Sequence, residues 1–317
     1  MTSVIFMGTP KFAATILQGI IDAKYEVKAV VTQPDKYIGR KRILSISPVK
    51  EVAENNKISV FQPSRLGKSD ELQKLIALKP DLIITAAFGQ FLPMSLIESA
   101  KIAAVNVHGS LLPKYRGGAP IQYAIMNGEE KTGVTLIYMI KKMDAGKMLA
   151  QEELPILKSD NNGTIFDKMS VLGKNLLLQT LPKLIEGTIT GVPQDEEKVT
   201  FAPVISAKQE ELSLGLTSLE LDYKIRALSP NPGAYFKSFL GKRTKFWEIN
   251  PLNEVTKYEA GIVVAVAKKQ LKIAAFGGSV YEVNVIQPAG KPKMTIGNFL
   301  NGQGQGIKVG QRIIIDE

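Results

Sequence analysis

Two polar residues close an apolar run in the middle of the chain, and their types suit one kind of chemistry. Asn106 and His108 stand two apart in Val105-Asn106-Val107-His108-Gly109-Ser110-Leu111-Leu112-Pro113. On a strand that spacing turns both side chains to one face. If the strand belongs to an open α/β sheet, its C-terminal end is where such sheets build their sites. A polar pair there must find partners or face a cavity. An Asn amide and an imidazolium are preorganised donors for a tetrahedral oxyanion, so the pair suits acyl transfer. A nearby carboxylate would keep the imidazole protonated or accept a proton through water. Asp144, in Met143-Asp144-Ala145-Gly146 after another apolar run, is the candidate. The bland alternatives are a structural His capping a turn and a solvated turn Asp.

Two further segments could carry chemistry. Gly8-Thr9-Pro10-Lys11-Phe12-Ala13 joins the first strand to the first helix. It lacks the second and third glycines of a dinucleotide site, and Pro10 removes a helix-terminal donor. It reads as a tight strand-to-helix turn. Lys36–Lys50 holds Lys36, Arg40, Lys41, Arg42 and Lys50 with no acid. It reads as a mobile loop whose Arg40, Lys41 and Arg42 suit phosphate contacts, with a solvated basic loop as the alternative. The chain has no Cys and one His, which leaves almost no way to build a zinc site. No metal is expected.

The elements that must position these residues follow from hydrophobic periodicity. Short buried runs at Ser3–Met7, Val27–Val31, Asp81–Ala87, Ile102–Val107 and Thr135–Ile140 alternate with helical stripes. That alternation predicts a parallel, doubly wound, Rossmann-like α/β domain. Helices are expected near Ala119–Met126, from Thr164 to Glu186, and near Thr217–Leu228. Beyond about residue 205, alternating runs at Gly261–Ala267, Gln270–Ala275, Ser279–Ile286 and Gln311–Ile315 predict a small β-barrel. The expected division is 1–190 for the first domain, 191–206 for a linker and 207–317 for the barrel. At 317 residues, 44% hydrophobic and 22% charged, disordered and fibrous classes are excluded. The start reads as a buried strand rather than a signal peptide, and no apolar run is long enough to span a bilayer. Forty Lys and Arg against 30 Asp and Glu give a net +10, which favours nucleic acid as partner.

NVHGSLLPKYRGGAPIQ, from Asn106 to Gln122, resembles the signature of formyltransferases that use 10-formyltetrahydrofolate, and its spacing to MDAG fits as well. VIFMGTPKFA, the QPDK…GRKR…SPVK loop and AAFGQFLP resemble the branch of that family acting on initiator methionyl-tRNA. LSPNPGAYF and QPAGKPKM carry the resemblance into the second domain. It implies transfer of the folate formyl group to the methionine amine of initiator tRNA for translation initiation. It implies an OB-like C-terminal barrel that binds tRNA. Asn106, His108 and Asp144 match the family's catalytic trio, and Ser110, Leu111, Leu112 and Pro113 its folate-binding stretch. Arg40, Lys41 and Arg42 match the loop that enters the tRNA acceptor arm. Backbone groups around Gln90, Phe91, Leu92 and Ile140 are expected to read the pteridine edge. The tight turn after the strand suggests a cis Leu112–Pro113 bond. Asn231 and Leu214 stand where the family usually has Trp. The resemblance implies folate as co-substrate with no tightly bound cofactor, and a cytoplasmic monomer. The alternatives are a sugar-nucleotide or glycinamide-ribonucleotide formyltransferase, or a tRNA-binding module without catalysis. The basic arm disfavours the former and the intact trio the latter.

Overall fold

The computed structural model describes residues 1–38 and 43–316. Arg40, Lys41 and Arg42 lie outside the described residues. The chain forms two compact units, Met1–Pro120 with Lys131–Pro155 and Phe166–Pro203, and Ile121–Glu130 with Ile156–Ile165 and Val204–Glu317. Among the described residues, no helix is long and apolar enough to cross a membrane.

In the first unit, β1 (Ser3–Gly8) leads into α1 (Lys11–Asp22) and β2 (Glu26–Val31). The short strands β3 (Lys36–Ile38) and β4 (Ile43–Ser45) pair antiparallel. Then come α2 (Pro48–Asn55), β5 (Val60–Phe61), α3 (Asp70–Ala77), β6 (Leu82–Ala86), α4 (Met94–Ile97) and β7 (Ala103–His108). After α5 (Pro120–Met126), which apart from Pro120 is grouped with the second unit, the strands β8 (Lys131–Tyr138) and β9 (Met148–Pro155) complete a sheet of order β5-β2-β1-β6-β7-β8-β9. The long helix α6 (Asn162–Ile185) follows. All six residues of β1 are buried, as a central strand covered on both faces requires. Asp81 ties the starts of β1 and β6 together. Its carboxylate accepts from the Ser3 amide and hydroxyl, both at 2.8 Å, and meets Lys101 at 3.3 Å.

Three expectations change here. The strands from β5 to β7 are parallel, but β8 runs antiparallel to β7 and β9 to β8. The link between β7 and β8, residues 109–130, is long enough for a parallel crossover, but its stretch Ile121–Glu130, which holds nearly all of α5, belongs to the second unit. The Lys36–Lys50 segment is not one open loop: its flanks pair as β3 and β4, and Lys50 sits on α2. There Ser47 caps the helix by accepting from the Lys50 amide at 3.0 Å, and the Lys50 ammonium pairs with Asp35. The stretch expected as linker, 191–206, belongs to the first unit as far as Pro203. The Arg116 amide donates to the Thr200 carbonyl at 2.9 Å, and the Ala202 amide to the Arg116 carbonyl at 2.8 Å.

The second unit holds α7 (Ser218–Ala227), β10 (Tyr235–Phe239), β11 (Lys242–Val255), β12 (Val263–Ala267), β13 (Gln270–Ala274) and β14 (Ser279–Pro288). It ends with β15 (Met294–Thr295), α8 (Ile296–Leu300) and β16 (Ile314–Ile315). Thr217 and Glu220 form a reciprocal capping box at the start of α7, within the predicted helix. The antiparallel order is β12-β13-β14-β11-β10-β16. The sheet curls: Val263 exchanges backbone bonds with Gly310 and Gln311, and the Ile313 amide donates to Gly261, so the β12 edge meets the chain entering β16. This is the OB-like form expected. Its core packs Phe236 and Phe239 edge-on to Phe246, at 5.2 and 5.4 Å between centroids. Trp247, the only Trp, is half-buried on β11 and donates to Gln287. Its ring abuts Gly233, while the ammoniums of Lys293 and Lys245 stand 3.4 and 5.6 Å from its centre.

Candidate active site

Register brings the first side chains together. Thr85 on β6 lies beside Asn106 on β7, and the Thr85 hydroxyl donates to Asn106 Oδ1 at 2.8 Å. That bond orients the amide, leaving Nδ2 to face Asp144 Oδ1 at 3.3 Å. The flipped amide would oppose its oxygen to a carboxylate that can only accept, so this orientation is the favoured one. Two residues on, His108 is buried with 5% exposure. Its Nε2 lies 3.0 Å from the Tyr115 carbonyl, which cannot donate, so Nε2 carries the hydrogen. Its Nδ1 lies 3.6 Å from Asp144 Oδ1. Asn106 and His108 therefore converge on one carboxylate oxygen.

The turn that offers Asp144 is unusual. Asp144 has φ +50°, a left-handed conformation that costs a side-chain-bearing residue energy, though Asp tolerates it better than most. Its Oδ2 accepts from the Gly117 amide at 3.0 Å. Gly117 must be glycine: its φ is +127°, and a Cβ would come within 2.5 Å of the Ala202 carbonyl oxygen. Gly146, which ends the turn, would put a Cβ 1.8 Å from the Tyr138 carbonyl oxygen. The Gln194 amide donates to the carbonyls of Asp144 and Gly146, each at 2.8 Å.

The Ser110–Pro113 stretch leaves β7 as a braced loop. Ser110 is buried and donates to the Lys114 carbonyl at 2.7 Å. The Thr135 hydroxyl donates to the Ser110 carbonyl at 2.6 Å and accepts from the Leu112 amide at 3.1 Å. Gln151 donates to the Leu112 carbonyl at 2.9 Å. Leu112 is buried, Leu111 and Pro113 are half-buried, and the Leu112–Pro113 bond is cis. The Gln90 side chain points into the fold, accepting from the Leu66 amide at 2.8 Å and donating to the Pro63 carbonyl at 3.0 Å. Leu92 packs partly buried against the sheet core, whereas Phe91 and Ile140 are exposed. The side chains of Thr85, Arg116, Gln194, Thr135 and Gln151 escaped the sequence reading. Thr85 and Thr135 carried a visible signal, each a polar residue within a buried run, Leu82–Ala86 and Lys131–Tyr138.

Comparison with known proteins gives the frame for this geometry. A family model described as formyl transferase matches residues 1–181, and one described as formyl transferase, C-terminal domain, matches residues 204–304. The chain is 63% identical over 317 residues to the methionyl-tRNA formyltransferase of Ligilactobacillus salivarius (strain UCC118), covering 100% of each. An N-formyltransferase from Helicobacter canadensis, solved in complex with folinic acid and dTDP-3-aminofucose, matches with TM-score 0.69 and 20% identity, over 91% of this chain and 100% of that one. HypX from Aquifex aeolicus, solved in complex with tetrahydrofolic acid, matches with TM-score 0.66 and 18% identity. That match covers 98% of this chain and 48% of HypX, so the chain spans about half of HypX's length. At these identities the two solved structures bear on the fold alone.

Proposed function

Because the chain belongs to the formyl transferase family, we propose that it transfers the formyl group of 10-formyltetrahydrofolate to the free amine of methionine on initiator tRNA. The full-length likeness to a methionyl-tRNA formyltransferase carries this reading. The convergence of Asn106 and His108 on Asp144 supports the chemistry.

In the reaction the uncharged amine attacks the formyl carbon, whose carbonyl oxygen becomes an oxyanion. Collapse breaks the bond to folate N10, which takes a proton, while the attacking nitrogen loses one. Asn106 Nδ2 is a fixed donor for the oxyanion, held by Thr85. His108 acts through Nδ1, since Nε2 is engaged by Tyr115. Asp144 attracts a proton on that nitrogen and relays the proton the amine releases. The Ser110–Pro113 loop walls the pteridine with Leu111, Leu112 and Pro113, and backbone groups at Gln90, Phe91, Leu92 and Ile140 read its edge. Residues 1–190 then form the catalytic domain and 207–317 the tRNA-binding barrel. Arg40, Lys41 and Arg42 contact the acceptor arm. We expect a cytoplasmic monomer.

Supplying 10-formyltetrahydrofolate with charged initiator tRNA, an amino-sugar nucleotide or glycinamide ribonucleotide separates the readings. Formylation of the charged tRNA alone is expected. Transfer to the sugar or the ribonucleotide instead would overturn the acceptor assignment, and no transfer at all would leave a binding module.

A further inference from the structure

Gln194 lies outside the signature segments, yet its amide fills every hydrogen-bonding place it has around the Asp144 turn. Oε1 accepts twice from the Arg116 guanidinium, from Nε at 3.0 Å and Nη2 at 2.8 Å. Nε2 donates twice, to the Asp144 and Gly146 carbonyls. An amide with two lone pairs and two hydrogens is thereby saturated. Arg116 is itself 1% exposed and also engages Glu196. The next residue, Gly117, donates its amide to the Asp144 carboxylate. A closed ring results. It runs from the Asp144 carboxylate through Gly117 and Arg116 to the Gln194 amide, and back to the Asp144 carbonyl.

We propose that Gln194 is a positioning residue for formyl transfer, locking the 144–146 turn so that Asp144 keeps its carboxylate against Asn106 and His108. The inference rests on the reading of Asp144 as a catalytic group. The turn needs a lock because Asp144 holds a positive φ that an unrestrained residue would leave. Gln194 itself bonds the turn's backbone and Arg116 and none of the trio's side chains. Its effect therefore passes through Asp144. Only an amide serves: a carboxylate would still accept from Arg116 but would turn lone pairs onto two carbonyl oxygens, and a thioether would lose all four bonds.

The test compares Gln194→Met and Gln194→Glu in the full chain. It measures kcat and KM for both substrates from about pH 5 to 8, tetrahydrofolate binding by titration, and thermal melting. Misplacing a reacting group by about 1 Å costs up to roughly a hundredfold, so kcat should fall about ten- to a hundredfold, with KM and tetrahydrofolate affinity within about twofold. The Gln194→Glu deficit should narrow as pH falls, because protonation restores one donor toward the two carbonyls. The Gln194→Met deficit should not change with pH. Unchanged kcat, a loss confined to folate binding, or a Gln194→Glu deficit flat in pH would each overturn the proposal. If Gln194→Met fails to melt cooperatively, the Gln194→Glu series decides alone, since it compares two protonation states of one chain. Asp144→Asn separates the two levels. Full activity there defeats the reading of Asp144 itself. Loss there, with the Gln194 variants active, defeats only the role of Gln194.

Discussion

Asn106 offers one hydrogen-bonding hand to the site because Thr85 holds the other. Replacing Thr85 with Val keeps the shape and removes that restraint. One neutral hydrogen bond is worth about 1 kcal/mol, so kcat should fall roughly fivefold with folate affinity unchanged. Deleting a donor outright costs more. Asn106→Ala and His108→Ala should each raise the barrier by about 3–4 kcal/mol, read as kcat in single-turnover assays. If tetrahydrofolate binding fell and turnover held, these side chains would be ligand contacts instead. Asn106 and His108 were legible because a two-residue period on an apolar strand is visible in the sequence. Asp144 was reached through its turn and its motif. Gln194 was not legible, since the fold brings it beside Asp144 from fifty residues away and no local pattern marks that return.

Among the elements, β1 and β6 are pinned at their starts by Asp81. The Ser3 amide first, then the Ser3 hydroxyl and Lys101, hold its carboxyl down at about 2, against an ordinary 3.8. A pKa depressed by folding stabilises above the unfolded value and is lost as pH falls through the folded one. Asp81→Asn should therefore cost about 1–2 kcal/mol at neutral pH, and the deficit should shrink between about pH 4 and 2. Denaturant midpoints across that range check it, and a pH-independent deficit would mean the carboxylate's charge contributes nothing. The central strands were readable as unbroken apolar runs, and α7 was expected near Thr217–Leu228. The pair β8 and β9 was half missed. The β9 sequence Met148–Pro155 is half-exposed and acid-rich, so it has no continuous apolar signature. The long strand β11 went unread for a similar reason. Bulges break its register with β14, and polar residues interrupt its alternation.

At the scale of the whole chain, half the charge excess belongs to the C-terminal segment Ser206–Glu317. From Ser206 to Glu317 there are 15 Lys and Arg against 10 Asp and Glu, which is +5 of the net +10. Contacts from such a surface to phosphates act without regard to base sequence. Lys293→Gln should weaken binding to initiator and elongator tRNA alike and lower the salt slope by roughly 1 if the lysine meets a phosphate. An unchanged slope would place Lys293 off the interface. The basic composition pointed to nucleic acid from the start, yet it could not say that Lys50 is spent on Asp35 rather than left for a partner.

Trp247 gives this second unit a voice of its own. With one indole in the chain, every photon of tryptophan emission comes from a single place, between Gly233 and two lysine ammoniums. A cation close to an indole face perturbs its excited state, so drawing Lys293 away toward a phosphate should change both intensity and emission maximum. Titrating unlabelled tRNA while watching that emission would follow the barrel alone. A folate analogue added without tRNA should leave the signal where it was.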